Sequence, residues 1–147
     1  MAESLKDRMR SDLNAARRNR DKLMTMVLTT TLADVRNREI AVGHELSDEE
    51  FIEVVSSAIK RRRESAEQMR AGGRTDLADK EEREAEMLRA YLPAPLSEEE
   101  VRAMVREAIA QGANSIGAVM GRIAPQIKGR FEGREANRLA REELGTA

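Results

Sequence analysis

The residue types needed for covalent catalysis are scarce in this chain of 147 residues. There is no cysteine, which excludes thiol nucleophiles, disulfides and thiolate metal sites. The single histidine, His44, stands beside Glu45 in a predicted loop, and no serine has a glycine-framed elbow or a paired lysine motif. A phosphate-binding loop of the P-loop type is also absent. We therefore interpret His44 as a surface residue and predict no catalytic residue, no metal site and no cofactor.

Two charged clusters fall on predicted helices. Four glutamates between residues 81 and 86 wrap around the helix and alternate with Lys80 and Arg83, so ion pairs on a solvated face are favoured over metal binding. The basic run 60–63 advances by about 100° per residue, so its members point all around the helix axis. We expect some of them to pair with carboxylates inside the helical body and the others to be solvated. Phosphate binding by this run is the less favoured alternative.

The sharpest candidate for a binding segment lies near the C-terminus. Between residues 122 and 141, six basic residues stand against two acidic ones, Glu132 and Glu135; the basic residues are Arg122, Lys128, Arg130, Arg134, Arg138 and Arg141. The last three arginines are spaced four and three apart, which places them on one helical face. Gly129 and Gly133 let the backbone approach a partner closely, and the last helix points its free N–H groups the same way.

This arrangement suits phosphate contacts. The residues alone are equally compatible with glycines that serve only a tight turn and arginines that serve only solubility. The chain has only three aromatic residues, Phe51, Tyr91 and Phe131. Because single-stranded RNA binders stack bases on aromatic rings, nucleic acid bound here should be a structured RNA held by its backbone and shape. The nearly balanced charge, 26 basic against 27 acidic residues, argues against a protein that coats nucleic acid by bulk electrostatics.

Helices must position these residues. Apolar residues three and four apart predict helices from Leu5 to Arg18, from Asp21 to about Arg38, and from Ser47 to Ala71. A capping box of Ser47 and Glu50 starts the third helix, and a glycine pair ends it. A fourth helix begins at Thr75 or Asp76 and ends at Pro93.

Pro93 and Pro95 interrupt the helical pattern and divide the chain. We predict an all-α protein with an N-terminal domain of long helices over residues 1–92, a hinge over 93–96, and a three-helix tail domain over 97–147. In the tail, Ser97 and Glu100 form a second capping box, and Pro125 weakens the end of the middle helix. The charged N-terminus predicts no signal peptide, and the longest uncharged run is too short to span a membrane, so we expect a soluble, cytoplasmic protein.

Segments spread over nearly the whole chain resemble YqeY proteins of the GatB/YqeY family in order and spacing. They are Leu5-Lys6-Asp7-Arg8, Arg36-Asn37-Arg38-Glu39-Ile40, Ile59-Lys60-Arg61-Arg62-Arg63-Glu64-Ser65, Gly73-Arg74-Thr75-Asp76-Leu77-Ala78, Tyr91-Leu92-Pro93, Met120-Gly121 and Lys128-Gly129-Arg130-Phe131-Glu132-Gly133. Phe131-Glu132 departs from the family, which usually has Ala-Asp between the glycine pairs.

The resemblance implies a tail similar to that of the B subunit of glutamine-dependent aminoacyl-tRNA amidotransferase, where the tail looks like a tRNA-contacting module. The family is labelled with carbon–nitrogen ligase activity that uses glutamine as the amido-N-donor. The amidotransferase's catalytic cradle, which activates the tRNA-bound carboxylate with ATP and a metal, has no counterpart in this chain. The label is therefore compatible with ancestry as well as with activity, and whether the chain is an enzyme stays open.

We predict an accessory protein that binds tRNA through its tail and works with an amidotransferase or synthetase partner. The expected RNA contacts are Lys128, Arg130, Arg134 and Arg138, and Gly121, Gly129 and Gly133 are expected to set the backbone shape. One alternative is an amidotransferase component that supplies its tail to a catalytic partner. The other is a helical protein–protein interaction module with no RNA role.

Overall fold

The computed structural model describes residues 3–146. Within that range the chain forms no strand, which confirms the predicted all-α class. Its helices are α1 (Leu5–Arg18), α2 (Lys22–Val42), α3 (Asp48–Ala71), α4 (Thr75–Leu88), a 3-10 turn (Arg89–Tyr91), α5 (Glu98–Ala110), α6 (Ile116–Ile127) and α7 (Gly133–Thr146).

The chain divides into two compact units, Met1–Leu92 and Pro93–Ala147, called here the N-terminal and the C-terminal unit. Independent folding of the two predicted domains and a hinge over 93–96 stay predictions. Residues 1, 2 and 147, which the predicted domains include, lie outside the described range.

The predicted capping boxes form at α3 and α5. Ser47 Oγ accepts the N–H of Glu50 at 3.2 Å, and Glu50 Oε1 accepts the N–H of Ser47 at 3.1 Å. Ser97 and Glu100 exchange the same pair of bonds at 3.1 and 3.3 Å. Each box satisfies two N–H groups that a helix start would otherwise leave unpaired.

Three helix ends differ from the prediction. α2 continues past Arg38 to Val42 and ends at Gly43, whose φ of +80° lies in the left-handed region that favours glycine. α4 gives way to the 3-10 turn before Pro93. α6 runs through Pro125 instead of fraying there, because Ile123 and Ile127 on either side of it are buried in the core of the C-terminal unit.

Tyr91 ties the end of the N-terminal unit to its first helix. Its ring packs edge-on against Phe51, with centroids 6.5 Å apart, and its hydroxyl donates to the Asp12 carboxylate. The Arg8 guanidinium lies 5.0 Å from the ring centre and donates to the Ala90 carbonyl at 3.0 Å. Burial, with the Asp12 carboxylate, raises the pKa of Tyr91 well above its usual value.

Two residues of the basic run 60–63 form ion pairs within the N-terminal unit, as predicted for some members of the run. Arg62 lies between α3 and α4, with its Nε 3.6 Å from the Glu84 carboxylate. Arg61 pairs with Asp34 of α2 at 2.8 Å on the surface. Lys60 and Arg63 are exposed. The run therefore contributes one buried and one exposed ion pair rather than one basic patch.

In the C-terminal unit, α5, α6 and α7 pack around an aliphatic core. Its fully buried side chains include Val101, Val105, Val119, Ile123 and Leu139. Phe131, which follows α6, is half-buried against this cluster. The core fixes the position of the segment that connects α6 to α7.

Candidate nucleic-acid interface

A tight turn leads from α6 into the predicted binding segment. The Arg130 N–H donates to the Ile127 carbonyl at 2.8 Å across Lys128 (φ −58°, ψ 124°) and Gly129 (φ +71°). These angles define a type II β-turn, whose third position requires a positive φ and so favours glycine. The turn leaves Lys128 exposed. Residues 128–134 are called the basic loop below.

Arg130 anchors the basic loop to the first residues of the C-terminal unit. Its carbonyl accepts the N–H of Leu96 at 2.9 Å, and its Nε donates to the carbonyl of Ala94 at 2.9 Å. This side-chain bond uses one of the five guanidinium N–H groups. Arg130 is therefore a structural residue of the loop as well as a candidate contact.

Phe131 does not extend the candidate surface. Its ring is half-buried against the core, so it is not presented as a platform for a stacked base. Glu132 and Gly133 are exposed, and the Ala136 N–H donates to the Glu132 carbonyl at 3.0 Å as α7 begins. Phe131 therefore anchors the loop to the core of the C-terminal unit and is not expected to contact a ligand.

Arg134 is the residue of the basic loop best placed for contact with a partner. It is exposed in the first turn of α7, and none of the ion pairs formed within residues 3–146 includes it. Its acidic neighbour Glu135 is paired with Arg138 at 2.8 Å. The positive end of α7 therefore carries an exposed arginine and a carboxylate that is already neutralised.

Arg138 forms ion pairs within the C-terminal unit. Besides Glu135, it contacts Glu142 at 2.6 Å and Glu98 of α5 at 3.9 Å. Arg141 donates to the Asn137 side chain at 2.8 Å. The three arginines lie on the same helix, as their spacing predicts. Their ion pairs differ, and Arg138, which contacts three carboxylates, is the predicted contact least available to bind RNA.

Two arginines of α5 complete an ion-pair cluster with the end of α7. Arg102 reaches Glu142 at 2.6 Å and Glu143 at 3.1 Å, and Arg106 reaches Glu143 at 3.1 Å. Hydrogen bonds from these arginines lower the pKa of both glutamates and, in return, raise the pKa of both guanidiniums. The cluster joins α5 to α7 and engages the carboxylates of Glu142 and Glu143.

Sequence reasoning did not single out Arg102 or Arg106. The four-residue spacing of Glu98 and Arg102 was available as a sign of an intrahelical pair, and the structure shows that pair at 3.0 Å. The bonds to Glu142 and Glu143 had no such sign, because those residues lie about forty positions later. Spacing along one helix does not reveal partners on another.

The three glycines expected to set backbone shape behave differently. Gly129 has the positive φ described above, whereas Gly121 and Gly133 are absent from the positive-φ residues of the described range. A Cβ placed on either would meet nothing within 4 Å. Only at Gly129, among the three, does the backbone call for glycine.

Two further features of the described range bear on function. No helix of residues 3–146 is long and apolar enough to cross a membrane. In the same range, no group of three or more histidine, aspartate or glutamate residues is placed to hold a metal ion.

Comparison with known proteins identifies one matching family and two similar proteins. A family model described as "Yqey-like protein" matches residues 6–144. The chain is 29% identical over 129 residues to "Altered inheritance of mitochondria protein 41, mitochondrial" of Pyrenophora tritici-repentis, covering 84% of this chain and 71% of that protein. It is 31% identical over 85 residues to the protein of the same name from Lachancea thermotolerans, covering 57% of this chain but only 46% of that protein.

Proposed function

Because the chain belongs to the YqeY-like family, we propose that it is an accessory protein that binds structured RNA, with tRNA as the expected class, through the basic loop. The proposed contacts are Lys128, Arg130 and Arg134. In this proposal the protein delivers or holds RNA for an amidotransferase or synthetase partner and does not itself carry out the ligase reaction.

The observation that carries the proposal is the type II turn at residues 127–130. It brings Lys128 and Arg130 into a loop of seven residues that ends at Arg134 in the first turn of α7. Three cations and the positive end of a helix thus accompany a single acid, Glu132. Phosphate oxygens are the ligands that such a group of donors binds best.

Arg138 enters the proposal in a different role from the predicted one. Its bonds to Glu135 and Glu142 hold α7 and neutralise the carboxylate next to Arg134. Removing it would leave Glu135 as a negative charge beside the proposed phosphate site. We therefore treat Arg138 as a positioning residue.

The experiment is tRNA binding by the purified protein over a salt series from low to physiological ionic strength. The test variant carries Lys128→Glu and Arg134→Glu, and leaves the structural Arg130 in place. The matched control carries Lys60→Glu and Arg63→Glu, which changes the net charge equally at two exposed positions of α3. The control also tests phosphate binding by the basic run.

We expect the test variant to bind at least about tenfold more weakly, and the slope of its salt dependence to fall by about one unit for each phosphate that it no longer neutralises. The control should retain wild-type binding. Absence of tRNA binding by the wild type at low salt, or equal weakening of binding in the two variants, would contradict the proposal.

One observation favours the alternative of a protein-interaction module without an RNA role. Arg102, Arg106 and Arg138 are all committed to carboxylates of the C-terminal unit, which lowers the positive charge left for phosphate. If the alternative holds, the Lys128→Glu, Arg134→Glu variant will leave RNA binding and salt dependence unchanged.

A further inference from the structure

Two of the segments that resemble the family, around Lys6 and Glu39, meet in the N-terminal unit. Lys6 Nζ lies 2.9 Å from Glu39 Oε2, and the Leu46 N–H donates to the same oxygen at 2.9 Å. These two donors lower the pKa of Glu39. Lys6 also lies 3.6 Å from Glu45. Lys6 therefore pairs closely with Glu39 and more loosely with Glu45, whose side chain is 89% exposed.

A groove of about 520 Å³ lies beside this pair, between α1 and α2. Leu32 and Val35 contribute apolar side chains to its lining, and Arg10 and Arg36 are its other basic residues. Both arginines are exposed, and the ion pairs formed within residues 3–146 include neither. Arg17, seven residues after Arg10, extends the basic edge along the same side of α1.

The groove is continuous with an uncharged face of α2. This face, called here the α2 outer face, consists of exposed residues without charge: Met26, Thr29, Thr30, Ala33, Asn37 and Ile40. Thr29 and Ala33 also line the groove. Met26 is 44% exposed and Ile40 72%, and Leu77 is the only other large hydrophobic residue of the described range exposed to this degree.

The spacing of the α2 outer face is that of a helix–helix contact. Met26, Thr30, Ala33, Asn37 and Ile40 alternate four and three residues apart, which keeps them in one line over about 21 Å. Three of the five residues in this line, Met26, Ala33 and Ile40, are apolar and none is charged, which suits a partner whose centre has low polarity.

The groove side of this face carries a net positive charge, because Lys6, Arg10 and Arg36 stand against Glu39 and Glu45. α2 contains two acids, of which Glu39 pairs with Lys6 and Asp34 pairs with Arg61 at 2.8 Å. Arg36 and the neighbouring Arg10 form no ion pair within 4 Å among residues 3–146, and Arg10 helps at longer range to lower the pKa of Glu39. A ligand that matches this surface has an apolar centre and a negative edge.

We propose that the groove and the α2 outer face together dock an acidic amphipathic helix of a partner protein. Its apolar side chains cover the line from Met26 to Ile40, and its aspartates or glutamates pair with Arg10 and Arg36. A helix of about four turns matches the length of the face. The docking does not depend on the proposed RNA contact, which involves residues of the C-terminal unit.

A second copy of this chain matches the surface less well. An antiparallel two-fold pair of α2 helices sets the basic edge of one copy against the same basic edge of the other. A parallel pair sets it against Asp34, whose carboxylate already pairs with Arg61. Neither arrangement supplies a free acid, whereas charge complementarity between partners favours association.

The test is site-specific photo-cross-linking of the full chain in the cells that produce it. Ile40→p-benzoylphenylalanine places the probe on the α2 outer face. The matched control, Leu77→p-benzoylphenylalanine, places it at the exposed hydrophobic residue of α4 in the same unit. Mass spectrometry identifies the cross-linked segment, and a second sample adds Arg10→Glu and Arg36→Glu. Fluorescence of the buried Tyr91 checks that each variant is folded.

We expect the Ile40 probe to capture a segment with an amphipathic helical pattern and a net negative charge, and the charge reversals to lower its yield about tenfold. The Leu77 probe should not capture it. Capture of a second copy, capture of a segment without acidic residues, an unchanged yield after charge reversal, or a yield no higher than at Leu77 would each overturn the proposal.

Discussion

Replacing Arg62 by methionine should destabilise the N-terminal unit by about 3 kcal/mol at neutral pH. The side chain of Arg62 is 13% exposed and that of its partner Glu84 is 6% exposed, with 3.6 Å between Nε and the carboxylate. At that distance the attraction is about 4–5 kcal/mol for an effective dielectric constant near 20. Without Arg62, Glu84 remains as a buried charge that only the weaker attraction of Lys80 offsets.

The pair itself contributes little net stability, because both charges leave water. The Arg62 Nε has no hydrogen-bond partner, so its desolvation is only partly compensated by the bond from Nη1 to the Ala58 carbonyl at 3.2 Å. The double variant Arg62→Met, Glu84→Met should therefore lie within about 1 kcal/mol of the wild type. The neighbouring control Arg61→Met removes a pair whose arginine is 62% exposed and should cost less than about 1 kcal/mol.

Urea unfolding followed by tyrosine fluorescence measures these differences. Tyr91 is the single tyrosine, there is no tryptophan, and Tyr91 is buried in the N-terminal unit, so the signal reports on that unit. The Arg62→Met midpoint should fall by about 2 M. A destabilisation no larger than that of Arg61→Met, or a double variant as unstable as the sum of the single ones, would refute the reasoning.

The same pair predicts a dependence on pH. Burial, followed by repulsion from Glu81, raises the pKa of Glu84 above 4.5, and the Arg62 charge opposes this rise. A raised pKa means that the folded protein takes up this proton more readily than the unfolded chain does. The destabilisation by Arg62→Met is therefore greatest above the raised pKa and shrinks as the pH falls through it toward 4.5. The urea midpoints of the wild type and of Arg62→Met should converge as the pH falls. The difference between the wild type and the double variant should not shrink in this way.

Three further predictions concern the turns and the ion-pair cluster. Arg20 lies in the turn after α1 with a φ of 56°, so Arg20→Gly should raise the melting temperature of the N-terminal unit by about 4 °C in a fluorescence melt. An unchanged or lower value would argue against strain at Arg20. Gly129→Val should destabilise the C-terminal unit by about 1–2 kcal/mol, as measured by amide hydrogen exchange, because it forces a β-branched residue into a positive φ. Gly121→Ala, in open space within a helix, should not destabilise it. The arginines lower the pKa of Glu142 and Glu143, so their stabilisation is present above pH 4.5 and is lost as the pH falls through the lowered values. Glu143→Gln should reduce the acid sensitivity of exchange in α5 and α7, and an unchanged profile would show that the cluster does not stabilise the fold.

Local features of the fold were predictable because their causes lie within a few residues. The capping boxes at Ser47 and Ser97 are bonds between residues three apart. The expectation that some of the basic run 60–63 pairs inside the body is also confirmed, since four consecutive helical residues cannot all face water. The passage of α6 through Pro125 was not predicted, because packing of Ile123 and Ile127 outweighed the local preference for a stop. The extension of α2 to Val42 was not predicted either, although Gly43, which ends the helix, marks the stop in the sequence.

The candidate site was predictable only in part. Spacing placed Arg134 and Arg138 on the same helix, and the glycine at position 129 marked the turn. Spacing did not show that Arg138 is paired with Glu98 of another helix while Arg134 has no ion pair within residues 3–146. The difference between these two arginines arises from the packing of α5 against α7.

The sequence by itself determined the all-α class, the helix starts and the presence of a glycine-marked basic loop, because hydrophobic periodicity, capping and turn preferences act over three to seven residues. Only the tertiary structure decided which charges are neutralised. The bond from Lys6 to Glu39, the buried Arg62–Glu84 pair and the α5–α7 cluster join residues more than twenty positions apart. Because a charge is available to a partner only when no nearby charge compensates it, the binding surfaces of this protein follow from those long-range pairs.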